Sequence, residues 1–249
     1  MSREIRLVAM EGIPAVAPGD DLAALHQQAA LRCGISLRNG VLAVCQKIVS
    51  KAEGRIVPLA EVEPSPEARA MAAEDGKDPR HVELVLRQTR RIVRRGHGVL
   101  IAETHHGFVC ANAGVDLSNA PGAEVAVLLP ENPDASAGRL REGLVALGAG
   151  PLAVIVTDTF GRPWREGLVD VAIGCAGIAP IDDLRGTPDL MGRELAVTTA
   201  ATADQLAAAA GLHMRKDSAV PSVWIEGVPL EGDAPLRDIL RDPETDLFR

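Results

Sequence analysis

The sequence predicts a mixed α/β fold of the α+β class, on three observations. Short β-branched apolar runs alternate irregularly with segments of helical character, which fits strands and helices packed in layers. No segment recurs at a fixed period, which excludes solenoids and propellers. The 249 residues are 47% hydrophobic and 24% charged, the balance of a chain that buries a full core. No long linker interrupts them, so residues 1–249 read as one unit with room for two lobes.

The elements follow in order. Residues 5–10 (IRLVAM) form a strand, broken by Gly12-Ile13-Pro14, because proline lacks an amide donor and restricts its predecessor. Asp20 is the expected cap of the helix LAALHQQAALRC, and Gly34 its stop. Residues 41–46 form a buried strand, followed by KIVSKAEGR as a polar turn or short helix. Residues 64–95 predict two helices broken near residues 76–79, the second with Arg87, Arg91, Arg94 and Arg95 on one face and a Glu83–Arg87 pair. That basic face is either a solvated surface, a subunit contact or a landing site for an anion. Residues 99–102 and 108–111 pair as strands around Thr104-His105-His106-Gly107, and residues 124–129 form another strand. A helix over 136–147 is expected to be capped by Asp134. Strands over 152–156, 169–173, 195–199 and 222–226 and an Ala-rich helix over 204–214 complete the chain.

Composition excludes several functions. Aromatic residues are only 2%, with no Tyr, too few for stacking on single-stranded nucleic acid, and a net charge of −8 does not suit a nucleic-acid sleeve. The uncharged stretch around residues 143–157 is short and broken by Gly148, Gly150 and Pro151, so no membrane span is expected. Without a signal-peptide core at the N-terminus, a cytoplasmic protein is expected. Cys33, Cys45, Cys110 and Cys175 lack zinc-site spacing and read as reduced thiols. The six histidines are scattered or sit in a turn, and none is needed for the chemistry below. The familiar nucleotide cradles are absent: Gly76-Lys77 is followed by Asp78 rather than Ser or Thr, and no GxGxxG follows the first strand. There is also no GxSxG or HExxH.

Three segments carry chemistry. In Ala111-Asn112-Ala113-Gly114-Val115-Asp116-Leu117-Ser118-Asn119, Asp116 and Asn119 offer a hard carboxylate and an amide, or simply a capped turn. In Thr157-Asp158-Thr159-Phe160-Gly161-Arg162-Pro163-Trp164-Arg165, a carboxylate at the end of a buried strand suits a divalent cation beside substrate phosphates. There Arg162 and Arg165 form either an anion fork or a loop of Arg–Asp pairs. In Gln46-Lys47-Ile48-Val49-Ser50-Lys51, two lysines share a face if helical, as a phosphate-binding pair or a solvated turn. Lysine is rare, occurring only at 47, 51, 77 and 216, so a compact ammonium is kept at few places.

Together these segments resemble the coenzyme F420-0:L-glutamate ligase family, the F420 gamma-glutamyl ligases. The resemblance rests on GIPAVAPGDDL, CQKIVSKAEGR, GKDPRHVELVL, HGFVCANAGVDLSN, LLPENPDASAGRLR, VIVTDTFGRPWR and DVAIGCAGI, in family order from residue 12 to about residue 230. It implies the stand-alone, two-lobed ligase without a nitroreductase-like domain, as an intertwined homodimer. It implies a GTP-dependent enzyme that adds L-glutamate to the lactyl carboxylate of coenzyme F420-0, and by gamma-linkage to the product, through an acyl phosphate, releasing GDP and phosphate. Asp116, Asp158 and Lys51 would be catalytic. Asp116 and Asp158 would hold one divalent cation, Mg2+ or Mn2+, and Thr159 would contact a second, with K+ as an optional further ion. Ile13, Pro14, Ala15, Val16, Gln46, Lys51, Asn119 and Lys216 would contact GTP. The chain departs from the family pattern at Leu168-Val169, at Leu184 and at Arg215, none of them an expected metal ligand. The alternatives are a metal- and nucleotide-dependent ligase for another acceptor, or a non-catalytic nucleotide- or deazaflavin-binding protein.

Overall fold

A computed structural model describes residues 4–117 and 124–247. Asn119 and Phe248 lie outside the described residues. The architecture is α+β, as the alternation of elements predicts.

Its centre is a five-stranded sheet built from β1 (Arg6–Ala9), β2 (Gly40–Cys45), β8 (Leu152–Arg162), β9 (Arg165–Ala176) and β12 (Ser222–Glu226). The order is β1-β12-β2-β8-β9, and only β2 and β8 run parallel. Residues 41–44, 152–156 and 223–225 are almost wholly buried. Continuous apolar runs of this kind belong to strands covered on both faces. Helix α1 (Leu22–Arg32) packs on α5 (Pro133–Ala146), which lies on β8 and β9. Helix α6 (Thr202–Gly211) lies on β9 and reaches β12.

The 106 residues between β2 and β8, numbered 46–151, hold most of a second, smaller cluster. Helix α2 (Gln46–Ala52) leads towards it but packs Ile48 and Val49 into the larger core; the smaller cluster contains β3 (Ile56–Pro58) paired with β7 (Val125–Val127), helices α3 (Pro66–Asp75) and α4 (Pro79–Gln88), and a sheet of β4 (Thr89–Gly96), β5 (Val99–Thr104) and β6 (Val109–Ala111). Helices α3, α4 and α5 each begin with proline at the first position behind a capping side chain: Ser65, Asp78 and Asn132 accept from the amides of Ala68, Arg80 and Ala135. The last pair, β10 (Asp182–Asp183) and β11 (Thr199–Ala200), ties down the ends of an exposed stretch.

Four sequence expectations change. The cap of α1 is Asp21, which accepts from Ala24 N, while Asp20 closes the preceding turn by accepting from Ala17 N. Asp134 sits one position inside α5 and reaches across to the amides of Cys175 and Leu236. The second predicted helix stops at Gln88, where Thr89, Ile92 and Val93 favour a strand; Glu83 still pairs with Arg87 at 2.9 Å, but Arg91 and Arg95 turn to Glu103 and Asp75 instead of forming a helical basic face. The strand expected over 195–199 shrinks to Thr199–Ala200, since the residues before it meet the chain around 184–188 only through scattered backbone bonds, such as Leu195 N to Thr187 O and Leu184 N to Thr198 O, and not as a continuous ladder.

Candidate functional site

Beside the carboxyl ends of β2 and β8 lies a cavity of about 480 Å3. Its wall is set by β8, whose buried run ends at Thr157, so that Asp158 is the first side chain to leave the core and Thr159 the first exposed one. Asp158 Oδ1 accepts from Thr159 N at 2.9 Å, and Thr159 Oγ1 donates to Asp170 Oδ1 at 2.7 Å across the β8–β9 pair. Parallel to β8, strand β2 runs directly into α2, and this places Gln46, Lys47 and Lys51 on the cavity. The spacing of the two lysines is one helical turn, as expected if the segment is a helix. Residues 13–16 and the loop after α6, including Lys216, close the remaining sides. Three of the four lysines of the chain, Lys47, Lys51 and Lys216, therefore line one cavity.

Asp116 enters from the smaller cluster. Asn112, Ala113 and Gly114 all have positive φ, at 51°, 49° and 71°, a left-handed turn that ends two residues before it. A Cβ on Gly114 would come within 2.7 Å of the Leu129 side chain. This run of left-handed backbone just before Asp116 marks a geometry the surroundings hold in place. The backbone of Asp116 then pairs with Val127, and its Oδ2 meets Lys47 Nζ at 2.6 Å.

These charges are coupled. Burial pushes the Asp158 carboxyl up to about 7; the Thr159 amide opposes this, the charge of Asp116 adds to it, Lys47 opposes and Asp170 adds. Asp170 is also raised, by burial first, with the Thr159 hydrogen bond opposing. A buried carboxyl that resists ionisation next to two other carboxylates gains from a cation. The donors are all oxygen, from two carboxylates and one hydroxyl, and among the described residues no cluster of three or more His, Cys, Asp or Glu side chains forms a closed metal cage. Such a sparse, hard donor set fits Mg2+ or Mn2+, which keep positions for phosphate oxygens, and not zinc. Gln46 Nε2 is buried without a hydrogen-bond partner among the described residues, while its Oε1 accepts from Ser50. An orphaned donor on a cavity wall fits an oxygen-rich ligand.

Thus Ile13, Pro14, Ala15, Val16, Gln46, Lys51, Asp158, Thr159 and Lys216 share one cavity, and Asp116 joins them through Lys47. Arg162, Trp164 and Arg165 do not line it; they sit at the exposed tip of the β8–β9 hairpin. Arg215 pairs with Asp217 in the loop that carries Lys216. Leu168 and Val169 line an adjoining groove of about 670 Å3 with Leu212 and Met214. Sequence reasoning singled out Lys47 without assigning it to Asp116, and it passed over Asp170. The four cysteines are free thiols, two of them buried.

Residues 12–227 match the family model described as F420-0:Gamma-glutamyl ligase. The chain is similar to the coenzyme F420:L-glutamate ligase of Methanothermobacter thermautotrophicus, 47% identical over 98% of this chain and 99% of that one. It is 48% identical to the coenzyme F420:L-glutamate ligase of Methanopyrus kandleri over 94% and 93% of the two chains. To that of Archaeoglobus fulgidus it is 38% identical over 98% and 96%.

Proposed function

The chain belongs to the F420-0:gamma-glutamyl ligase family, and from that premise we propose that it is a GTP-dependent ligase joining L-glutamate to the terminal carboxylate of coenzyme F420-0. One observation carries this reading: two carboxylates, a hydroxyl and three lysines from distant parts of the chain converge on a single cavity.

The chemistry demands such a site. A carboxylate and an amine do not condense in water, because hydroxide is a poor leaving group. The acceptor carboxylate oxygen attacks the γ-phosphorus of GTP, the bond to the β,γ-bridging oxygen breaks, and GDP leaves. The amine nitrogen of glutamate then attacks the acyl carbon of the acyl phosphate, phosphate departs with the bonding pair, and the amine loses a proton. No protein nucleophile is required, which agrees with the absence of a GxSxG motif. Asp116 and Asp158 would hold a divalent cation and Thr159 a second, with K+ as an optional further ion; such cations neutralise phosphate charge and the charge that develops on the leaving group. Lys51 and Lys216 draw the anionic nucleotide into an acidic protein, and Gln46 Nε2 offers a hydrogen bond to it. Residues 13–16 wall the nucleotide. Gamma-linked extension of the first product uses the same two steps.

A homodimer completes the proposal. Leu190, Met191 and Val197 are at least 85% exposed on the stretch between β10 and β11, and Trp164 is 79% exposed at the hairpin tip. Apolar side chains this exposed on extended arms are suited to a second copy. No helix among the described residues is long and apolar enough to cross a membrane.

The decisive experiment incubates the protein with GTP, Mn2+ or Mg2+, glutamate and F420-0 and follows coenzyme mass and GDP. A product one glutamate heavier with matching GDP release is the expected result. GDP release only with a different acceptor, or saturable binding without turnover, would replace the proposal with one of those two activities.

A further inference from the structure

Asp170 is built into the site more carefully than a surface carboxylate requires. It stands opposite Thr159 in the β8–β9 register and accepts the Thr159 hydroxyl hydrogen at 2.7 Å. It lines both the cavity and the adjoining groove. Its other oxygen lies against Gly211, the last residue of α6: a Cβ there would sit 2.8 Å from Oδ2 and 3.0 Å from Cγ. Any side chain at 211 would push the carboxylate aside.

A hydroxyl has one hydrogen and two lone pairs. When that hydrogen goes to Asp170, the lone pairs of Thr159 Oγ1 are left for other partners. An oxygen that donates to a carboxylate is also a stronger ligand, and partners of this kind fix the orientation of the side chains that hold metals. We propose that Asp170 is a positioning residue which commits the Thr159 proton and so presents Oγ1 to a cation, and that Gly211 supplies the clearance for it. This rests on the reading of Thr159 as a cation contact.

The test measures Mn2+ affinity by electron paramagnetic resonance, with a non-hydrolysable GTP analogue bound, in wild type, Asp170→Asn, Gly211→Ala, Thr159→Ala, Thr159→Ser and the Thr159→Ala/Asp170→Asn double variant. Asp170→Asn and Gly211→Ala should each weaken Mn2+ by roughly 10- to 100-fold with unchanged circular dichroism, and Thr159→Ser should retain most of the affinity. In the Thr159→Ala background, Asp170→Asn should add less than about twofold, because the two residues act as one unit. Mn2+ affinity within twofold of wild type in Asp170→Asn, or a full additional loss in the double variant, would overturn the proposal. Should Asp170→Asn fail to fold, Gly211→Ala decides by the same twofold criterion. Asp158→Asn serves as the control for the site itself: unchanged Mn2+ affinity there would reject the cation site, whatever Asp170 does.

Discussion

The two hydrophobic clusters that meet at the cavity are held in different ways. The larger is dry: residues 41–44, 152–156 and 223–225 stack continuous apolar side chains around the five-stranded sheet, and one buried polar pair, His26 with Ser222, joins α1 to β12. The smaller packs modest side chains such as Ala68, Ala72, Val82, Leu84 and Ala102, and rings them with ion pairs: Arg80 with Asp78 and Glu124, Arg87 with Glu83, Arg91 with Glu103, and Arg95 with Glu74 and Asp75. The cavity draws on both. The dry half supplies Asp158, Thr159 and the lysines of α2, and the ion-paired half supplies Asp116. A cation between them would tie together two parts of the molecule with unlike responses to salt and acid.

The largest expected effect strikes the dry half at the cavity. Asp158→Asn should lower ligation by about 10^3-fold or more, since a neutral amide neither holds a cation firmly nor balances its charge. Coupled GDP release and coenzyme mass measure it. The same variant should fold at least as well. Unfolded Asp158 gives up its proton near 3.8, whereas in the fold it keeps it until about pH 7, so wild-type stability falls across that window as pH rises. Asp158→Asn lacks this loss, and thermal denaturation without metal should show it gaining on wild type between pH 4 and about pH 7. A destabilised variant at pH 8 would contradict the burial assigned to this carboxyl.

Core truncation comes next. Ile155→Ala, at a fully buried position in the middle of β8, should cost about 4 kcal/mol by urea denaturation, because packing on both faces leaves the cavity little room to collapse. A loss under about 2 kcal/mol would mean that the larger cluster is looser than its burial indicates.

The same contrast explains what could be read in the sequence. The dry half was legible, since runs such as LAVIV declare a buried strand without reference to the rest of the chain. Asp158 was visible as the polar residue that ends such a run, and the scarcity of lysine pointed towards the cavity. In the smaller half, Arg87, Arg91, Arg94 and Arg95 mimicked one helical face, and only the β-branched Thr89, Ile92 and Val93 argued for the strand that forms. The partners of the site were hidden for other reasons. Lys47 meets Asp116 through a chain return of dozens of residues, which no local pattern encodes. Asp170 was hidden by an irregularity. A regular hairpin closed at Arg162↔Arg165 sets residue 168 opposite Thr159, but a register shift between Phe160 and Arg162 brings Asp170 there instead.

Acid separates the clusters at intermediate size. Burial holds the His26 imidazole down to about 4, with Nδ1 facing Leu22 O at 2.7 Å and Nε2 facing Ser222 Oγ at 3.1 Å. The unfolded chain takes up this proton as pH falls through 6.5, and the folded chain refuses it until about pH 4. Its contribution is therefore complete above pH 6.5 and is lost on the way down to about pH 4, by about 3 kcal/mol. Glu83 behaves oppositely in position: its hydrogen bonds from Ser65 and its pairing with Arg87 hold it below the ordinary carboxylate range, so its support disappears only in stronger acid. Urea titrations at pH 7, 5 and 3.5 should show His26→Gln flattening most of the drop from pH 7 to pH 5 and reducing, without removing, the drop from pH 5 to pH 3.5, where Glu83 also contributes. An unchanged slope between pH 7 and pH 5 in that variant would remove His26 as its source.

The smallest effect probes the ion-paired half. Glu103 is only 5% exposed, and its carboxylate meets Arg91 at 2.9 Å and Arg90 at 3.4 Å. Breaking a buried pair by deleting one charge is usually severe, because the other charge is left dry. Here both arginines are about half exposed or more and regain water, so Glu103→Gln should cost only about 1–2 kcal/mol. The loss should shrink further in 1 M NaCl, where the wild-type pairs are screened, while the Ile155→Ala cost stays the same. Measuring both variants at low and high salt sharpens the comparison of the two halves: equal salt response in the two would mean that ion pairing does not distinguish them.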